Sequence, residues 1–498
     1  MRLPKLIRQT AEQIRQLYLR DSIPWVIGCS WGKDSSCTLQ LVWQAIAALE
    51  PEQRHKQIDV ITTDTGVENP IIATYVRRSI QSFNLASTKQ QMPITAHLLR
   101  PSLDNSFWVL TIGKGYSKPS YRHRWCTPRL KIEPSDRFIR QQVSRYGESI
   151  LILGVRKDES VARKASIERH QKEGWETNLS PSSSLINSTI YTPIADWTTS
   201  EVWQYLLQVE NPWGGNNQEL FNLYRGATDS TECPLVLEEN TGSCGKSRFG
   251  CYVCTVVQAE ASLSNTIKNN EEMEWLEPLL NLREKLSQSN QSDRQLRMTT
   301  KGVQFHQNRV NSQLNLEPTP GKYHQTFRAE LLHQLLTAQG QIRAEAPQEY
   351  RQIELITSAE LSEIRYLWLY HHHEIEDLLP QIYESATGDS YVEAFPERFN
   401  SCLNSDYWSA LNSLGDDSET KLVASLLAIT LKHQTPHLRG SKYQALNECI
   451  RQNMSDKAEA IYLGYRQKCL SLTDSQAIRS YIKLMARPIP VDKIMSFQ

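Results

Sequence analysis

Two hydrophobic periods alternate along the first part of the chain. Trp25-Val26-Ile27 is a short apolar run that stops at the polar stretch Ser30-Trp31-Gly32-Lys33-Asp34-Ser35-Ser36, after which Leu39, Val42, Trp43 and Ile46 recur at helical spacing. This predicts a strand, a tight loop and a helix. Apolar runs at Ile58 to Thr62, Leu98-Leu99 and Ser149 to Leu153 predict three more strands, and Leu6, Ile7, Ile14, Leu17 and Tyr18 among Lys and Arg predict an amphipathic helix over residues 5 to 20. Asp104 to Trp108 begins another helix, and Thr198 with Glu201 three residues on is a capping-box start for one more. Residues 170 to 190, rich in Ser, Asn and Gln, read as a mobile segment over the site. Beyond residue 260, Asn265 to Asn270 and Ser287 to Arg294 read as polar connectors, while Trp275 to Leu282, Thr326 to Leu336 and most of the rest read as helix, with a break near Pro396. The expected organisation is an α/β nucleotide domain over 1–260, a helical linker over 261–345 whose Arg294, Arg297, Lys301 and Arg309 read first as surface charge and second as DNA contacts, and a helical C-terminal domain over 346–498.

The first loop suits phosphate. The opening amides of a helix lack intrahelical partners and carry the positive end of its dipole; Ser30, Ser35 and Ser36 add hydroxyls, Gly32 lets the backbone approach closely, and Lys33 adds a full charge. A plain helix cap would use the same residues. The spacing is not that of a Walker A loop. Two further strand ends carry polar residues where open parallel sheets place ligands. Thr63-Asp64 follows the second strand, with Asp64 suited to a ribose hydroxyl, to Mg2+ or to capping the helix after Pro70; Gly154 makes a turn after the fourth, and Arg156 and Arg163 beyond it are cations suited to charge developing on a transferred phosphoryl group.

Composition narrows the classes. Fifty-five basic residues balance 55 acidic ones over 498 residues, so any nucleic-acid surface is a local patch rather than a global field. Met1 to Lys5 is not followed by the apolar core of a signal peptide, and Leu422 to Leu431 falls short of the roughly 20 residues needed to cross a bilayer, so no membrane association is expected. Ten cysteines without an export signal point to a reducing cytoplasm, where clustered cysteines bind metal more often than they pair. Cys233, Cys244, Cys251 and Cys254 form such a cluster, and the two-residue spacing of Cys251 and Cys254 suits one zinc ion or one iron–sulfur cluster. Cys29 and Cys37 read as buried thiols. Between Lys118 and Ile132 lie Arg122, Arg124, Arg129 and Lys131 with Tyr121, His123 and Trp125 and no acid, a composition suited to a nucleic-acid backbone, or to a solvated loop, with Cys126 in its middle. His371-His372-His373 on a helix point in different directions and make a poor metal site.

Ser30 to Ser36 resembles the Ser-Gly-Gly-Lys-Asp-Ser pyrophosphate motif of the ATP pyrophosphatases that include PAPS reductases and tRNA-thiolating enzymes, with Trp31 in place of its second residue. Arg124 to Lys131, Thr231 to Val236 and Ser243 to Val257 together resemble the DndC family of DNA phosphorothioation sulfurtransferases, over residues 25 to about 380. This resemblance implies an α/β, adenine nucleotide alpha hydrolase-like parallel sheet domain with an iron–sulfur region and a helical C-terminal region. It implies ATP and Mg2+ at Ser30, Gly32, Lys33, Asp34, Ser35, Ser36, Thr63, Asp64 and Gly154, with Lys33, Asp34, Arg156 and Arg163 in catalysis. A [4Fe-4S] cluster on Cys126, Cys233, Cys251 and Cys254 is implied, with Cys244 as a fifth thiol, and Arg122, Arg124, Arg129 and Lys131 are placed against DNA. The implied partners are DNA, a cysteine desulfurase as sulfur donor and companion phosphorothioation proteins. Adenylyl sulfate reductases share the nucleotide fold but use a nucleophilic cysteine on a C-terminal tail, and this chain ends Lys493 to Gln498 without one. A non-catalytic DNA-binding scaffold with structural zinc is the rival of another class.

Overall fold

A computed structural model describes residues 2–159, 178–182, 185–227, 250–256, 261–299, 302–310, 313–372, 374 and 376–399, with 165, 169, 423 and 426. The chain divides into two compact units, each discontinuous in sequence. The first takes residues 1–107, 119–283 and 341–355, and the second takes 108–118, 284–340 and 356–498.

The first unit is built on strands β1 (Trp25–Gly28), β2 (Ile58–Thr63), β3 (Ile94–Leu99), β4 (Ser149–Leu153), β5 (Leu179–Pro181) and β6 (Ser188–Tyr191). Their order is β3-β2-β1-β4-β6-β5, parallel throughout except for the β5–β6 pair. The central runs are apolar on both faces because helices cover both. Helix α1 (Arg2–Arg20) buries Ile14, Leu17 and Tyr18, and α2 (Lys33–Ala47) buries Leu39, Leu41, Val42, Trp43 and Ile46. Helices α3 (Pro70–Lys89), α4 (Glu133–Tyr146), α5 (Thr199–Gln208) and α6 (Asn217–Ala227) follow, and α3 is capped by Asn69 rather than Asp64, through Ile71 N to Asn69 Oδ1 at 3.0 Å. In β1, Gly28 lies opposite Ile61 of β2 and Leu153 of β4. The chain leaves β1 for β2 on one side and returns as β4 on the other, so the carboxyl ends of β1 and β4 flank a topological switch point, where such sheets hold ligands.

Three expectations are corrected. The described part of 170–190 contains the edge strands β5 and β6, because its polar residues pair across strands: Ser149 Oγ and Ser188 Oγ lie 2.9 Å apart and buried. Asn265 to Asn269 are part of helix α7 (Ala261–Asn269), since Asn265 and Asn269 donate to the carbonyls of Ala227 and Gly226 and close the end of α6. The 261–345 region is helical at both ends but not throughout. After α8 (Glu277–Gln288) it forms β7 (Arg294–Leu296), β8 (Met298–Thr299), β9 (Gly302–Val303), β10 (Phe305–Val310), β11 (Gln313–Pro318) and β12 (Pro320–Tyr323), strands of mostly polar residues in which little apolar alternation stands out. Arg294 is structural there, donating to the carbonyls of Pro320 and Gly321.

The second unit adds α9 (Gln325–Glu345), α10 (Ser358–His371) and α11 (Leu378–Thr387); the expected helices beyond residue 400 lie outside the described residues, apart from 423 and 426. Its centre is Arg328, fully buried, ion-paired to Glu374 and 5.3 Å from the Trp368 ring. Trp368 donates to the Ile112 carbonyl and His372 to that of Gly113, each at 2.9 Å, so the middle histidine of the triplet serves packing, while His373 lies outside the described residues. No helix among the described residues is long and apolar enough to cross a membrane.

Burial, with the nearby Arg328 cation, pushes His372 down to about 3. Its folded pKa therefore lies below the unfolded value, so protons favour the unfolded chain. Stability is full above about pH 6.5 and falls by about 1.4 kcal/mol per pH unit between there and about pH 3. Urea unfolding at pH 7 and pH 5 is expected to show this loss in the wild type and not in His372→Gln.

Candidate functional site: a phosphate loop and its neighbouring thiols

Residues 29–33 leave β1 at the switch point and turn into α2. The residue before α2, Gly32, gives no side-chain cap, and the Ser36 hydroxyl, 3% exposed, has no hydrogen-bond partner among the described residues. A buried donor without a partner costs about 1–3 kcal/mol, so the Ser36 hydroxyl is suited to donating to a ligand oxygen rather than to capping the helix. Ser30 Oγ and Ser35 Oγ lie 3.3 Å apart beside it. Lys33 Nζ is 2.9 Å from Asp34 Oδ2, and Arg156 Nε donates to Asp34 Oδ1 at 2.7 Å. Arg156 is 2% exposed and also bonds the Trp197 carbonyl, so it positions Asp34 from below. Gly154, just after β4, is needed for contact: a Cβ there would sit 2.7 Å from the Asp34 carbonyl oxygen.

Trp31 adopts φ +58°, a left-handed conformation unusual for a bulky residue. Its indole is 2% exposed and points into the core, packing edge-on against Phe83 and Trp213 and donating to Thr62 Oγ1 at 2.9 Å, while Thr62 Oγ1 donates to the Cys29 carbonyl at 2.8 Å. The side chain thus tethers the loop to β2 and leaves the phosphate side clear.

Past β2, Thr63 Oγ1 lies 3.1 Å from Ser135 Oγ. Asp64 accepts from Gly66 N at 2.9 Å, from Arg100 at 3.0 and 3.2 Å and from Arg77 at 3.4 Å. Both carboxylates expected to hold Mg2+ carry cationic partners, Asp34 through Lys33 and Arg156 and Asp64 through Arg77 and Arg100. Beyond Asp64 the chain meets the cysteine pair. Glu68 and Cys251 form an antiparallel bridge, Tyr252 N donates to the Val67 carbonyl, and Thr65 Oγ1 is 3.5 Å from Cys251 Sγ. Thr255 Oγ1 donates to the Pro119 carbonyl at 2.6 Å, which draws the basic loop in. Cys254 is near enough to help raise both Cys126 and Cys251, after the larger effect of burial. Three sulfurs from two distant stretches thus lie within electrostatic reach of one another; no three His, Cys, Asp or Glu side chains among the described residues are gathered into a metal-binding group, and Cys233, Cys244 and Arg163 lie outside those residues. Cys29 and Cys37 are buried thiols.

The basic run divides by role. Lys118 donates to the carbonyls of Ser287 and Ser289, both in the second unit, and Arg129 to Asn105 Oδ1 at 2.8 Å. Lys131 belongs to the thiol locality, where Cys251 first, then Glu68, Cys126 and Cys254 raise its pKa against the opposing effect of burial. Of the four expected DNA contacts, Arg122, Arg124 and Lys131 are exposed, the two arginines at the loop tip, and Arg129 is half-buried.

Residues 24–256 match the phosphoadenosine phosphosulfate (PAPS) reductase domain family. They form a PAPS reductase-like domain. The uncharacterized protein MJ0066 of Methanocaldococcus jannaschii is 26% identical over 263 residues, which is 53% of this chain but only 42% of that protein's own length. Among solved structures, PAPS reductase from Candida auris in a phosphate complex is 15% identical with a TM-score of 0.28, covering 45% of this chain and 91% of that one. The tRNA thiolase NcsA from Methanococcus maripaludis, with its [4Fe-4S] cluster, is 15% identical with a TM-score of 0.27, covering 58% and 82%.

Within the PAPS reductase-like domain, Tyr224 of α6 is the residue that sequence reasoning missed. Its hydroxyl accepts from Lys33 N at 3.4 Å, its ring lies 5.6 Å from Lys33 Nζ, and the hydroxyl is 3.0 Å from where a Gly32 Cβ would stand. Nothing in local pattern marks it, since it is 191 residues away. Gly154→Ala is expected to push the Asp34 backbone out of place and weaken ATP binding about tenfold or more, read by nucleotide titration, with global unfolding shifted by only about 1–3 kcal/mol. Trp31→Gly relieves a backbone strain of roughly 1 kcal/mol but empties an aromatic cluster, so it is expected to destabilise the protein by about 2–4 kcal/mol in urea unfolding.

Proposed function

We propose that this chain is an ATP-dependent sulfurtransferase of DNA phosphorothioation, in which the PAPS reductase-like domain activates a backbone phosphate. The observation that carries the reading is the attachment of Cys251, by bridge and side-chain contact, to the loop after β2, in the same unit as a phosphate loop with an unpartnered buried hydroxyl. A non-bridging oxygen of the DNA phosphodiester attacks the α-phosphorus of ATP. The new P–O bond forms as the bond to the β-phosphate oxygen breaks, and pyrophosphate leaves along the amides of Gly32 to Ser36 with the hydroxyls of Ser30, Ser35 and Ser36. Lys33 neutralises the leaving charge, held in place through Asp34 by Arg156. A sulfur nucleophile supplied through a cysteine desulfurase then attacks the DNA phosphorus, and AMP departs with the original oxygen. A [4Fe-4S] group on Cys126, Cys251, Cys254 and Cys233 would supply stored sulfur or electrons beside that phosphorus. Arg163 and Gly154 complete the nucleotide site in this reading, and Arg122 and Arg124 hold the DNA backbone.

Purified protein given ATP and DNA is expected to release pyrophosphate, and Lys33→Ala to lower that rate by about 10²–10³-fold. Rapid sulfite release from adenylyl sulfate and a thiol donor would instead make the chain a reductase, and an anaerobic preparation without iron and sulfide would remove the cluster from the proposal.

A further inference from the structure

Residues 120–123 form a closed turn at the tip of the basic loop. Ser120 N donates to the His123 carbonyl at 3.2 Å, His123 N donates back to the Ser120 carbonyl at 3.1 Å, and His123 N also reaches Ser120 Oγ at 3.2 Å. The turn holds Tyr121 outward at 79% exposure. Single exposed aromatics are ordinary on protein surfaces, but this one is organised. The Arg124 guanidinium lies 5.0 Å from its ring centroid, and Trp125, stacked on Phe107 at 5.5 Å and 22°, anchors the loop immediately behind. Arg122, His123 and Arg124 are exposed around it, and no acid occurs from residue 119 to residue 132. An outward phenol ring, braced by a cation and surrounded by phosphate-binding charges, is the arrangement by which proteins stack unpaired bases. A matched duplex keeps its base faces inside the stack and has none to offer such a ring.

We propose that Tyr121 is a stacking platform for an unpaired DNA base, so that the segment presented beside Cys126 is single-stranded or has a base extruded from the duplex. This rests on nucleic acid being the substrate. Arg122 and Arg124 then supply the phosphate contacts and Tyr121 the base contact, and the two contributions respond differently to salt.

Fluorescence anisotropy with the full chain tests this against three oligonucleotides: a single strand, the matched duplex and the duplex with one unpaired base. Tyr121→Ala is expected to weaken binding of the single strand or the bulged duplex by about 5- to 150-fold and of the matched duplex by less than about twofold, with the slope of affinity against salt unchanged. Tyr121→Phe is expected to bind as the wild type, and Arg122→Ala to flatten the salt slope on all three. The larger loss between single strand and bulge names the source of the base. Equal losses on all three DNAs, or no loss on any, overturn the stacking role alone. A wild-type chain that binds none of them overturns this inference and the DNA reading together. The side chain is exposed, and thermal unfolding of each variant checks that folding is intact.

Discussion

One half-buried carboxylate, Asp34, ties together the loops at the switch point of the first unit. Asp34 opens α2 and binds Lys33 with one oxygen and Arg156 with the other, so the loop after β1 and the loop after β4 are joined through a single side chain. Gly154 reinforces the junction by lying directly against the Asp34 carbonyl. The parallel sheet places a crevice between β1 and β4; this pair of contacts turns the crevice into a loop of defined shape.

The cations nearby show how little a run of charges says about one surface. Lys118, Arg129 and Lys131 lie within 14 residues of sequence yet serve three different ends: carbonyls of the second unit, an asparagine, and a group of thiols. Arg77 and Arg100 come from other elements and meet at Asp64, where they shape the loop that runs on to Cys251. Charge in this domain is organised by the third dimension more than by spacing along the chain.

Much of the fold was legible because the central strands and α2 are strongly apolar with clear periods, and the capping box at Thr198 and Glu201 is a local device that formed as read. The turn from β1 into α2 was legible because the apolar strand, the polar turn and the helical period lie in consecutive residues. The edge strands β5 and β6 were hidden, since their Ser and Thr residues pair with neighbours that no local pattern reveals, and the six strands after α8 were hidden by their mostly polar residues. Arg156 looked like a substrate contact in sequence; its burial and its bond to Asp34 give it a supporting role. Tyr224 gave no signal because its partner, the Lys33 amide, belongs to a distant turn.

The bridge between Glu68 and Cys251 fixes the far end of the long stretch 127–250 to the same locality in which that stretch begins at Cys126. Between those two anchor points run α4, the strands β4 to β6 and the helices α5 and α6, so the packed sheet itself, rather than a flexible ring, brings the chain from Cys126 back to Cys251.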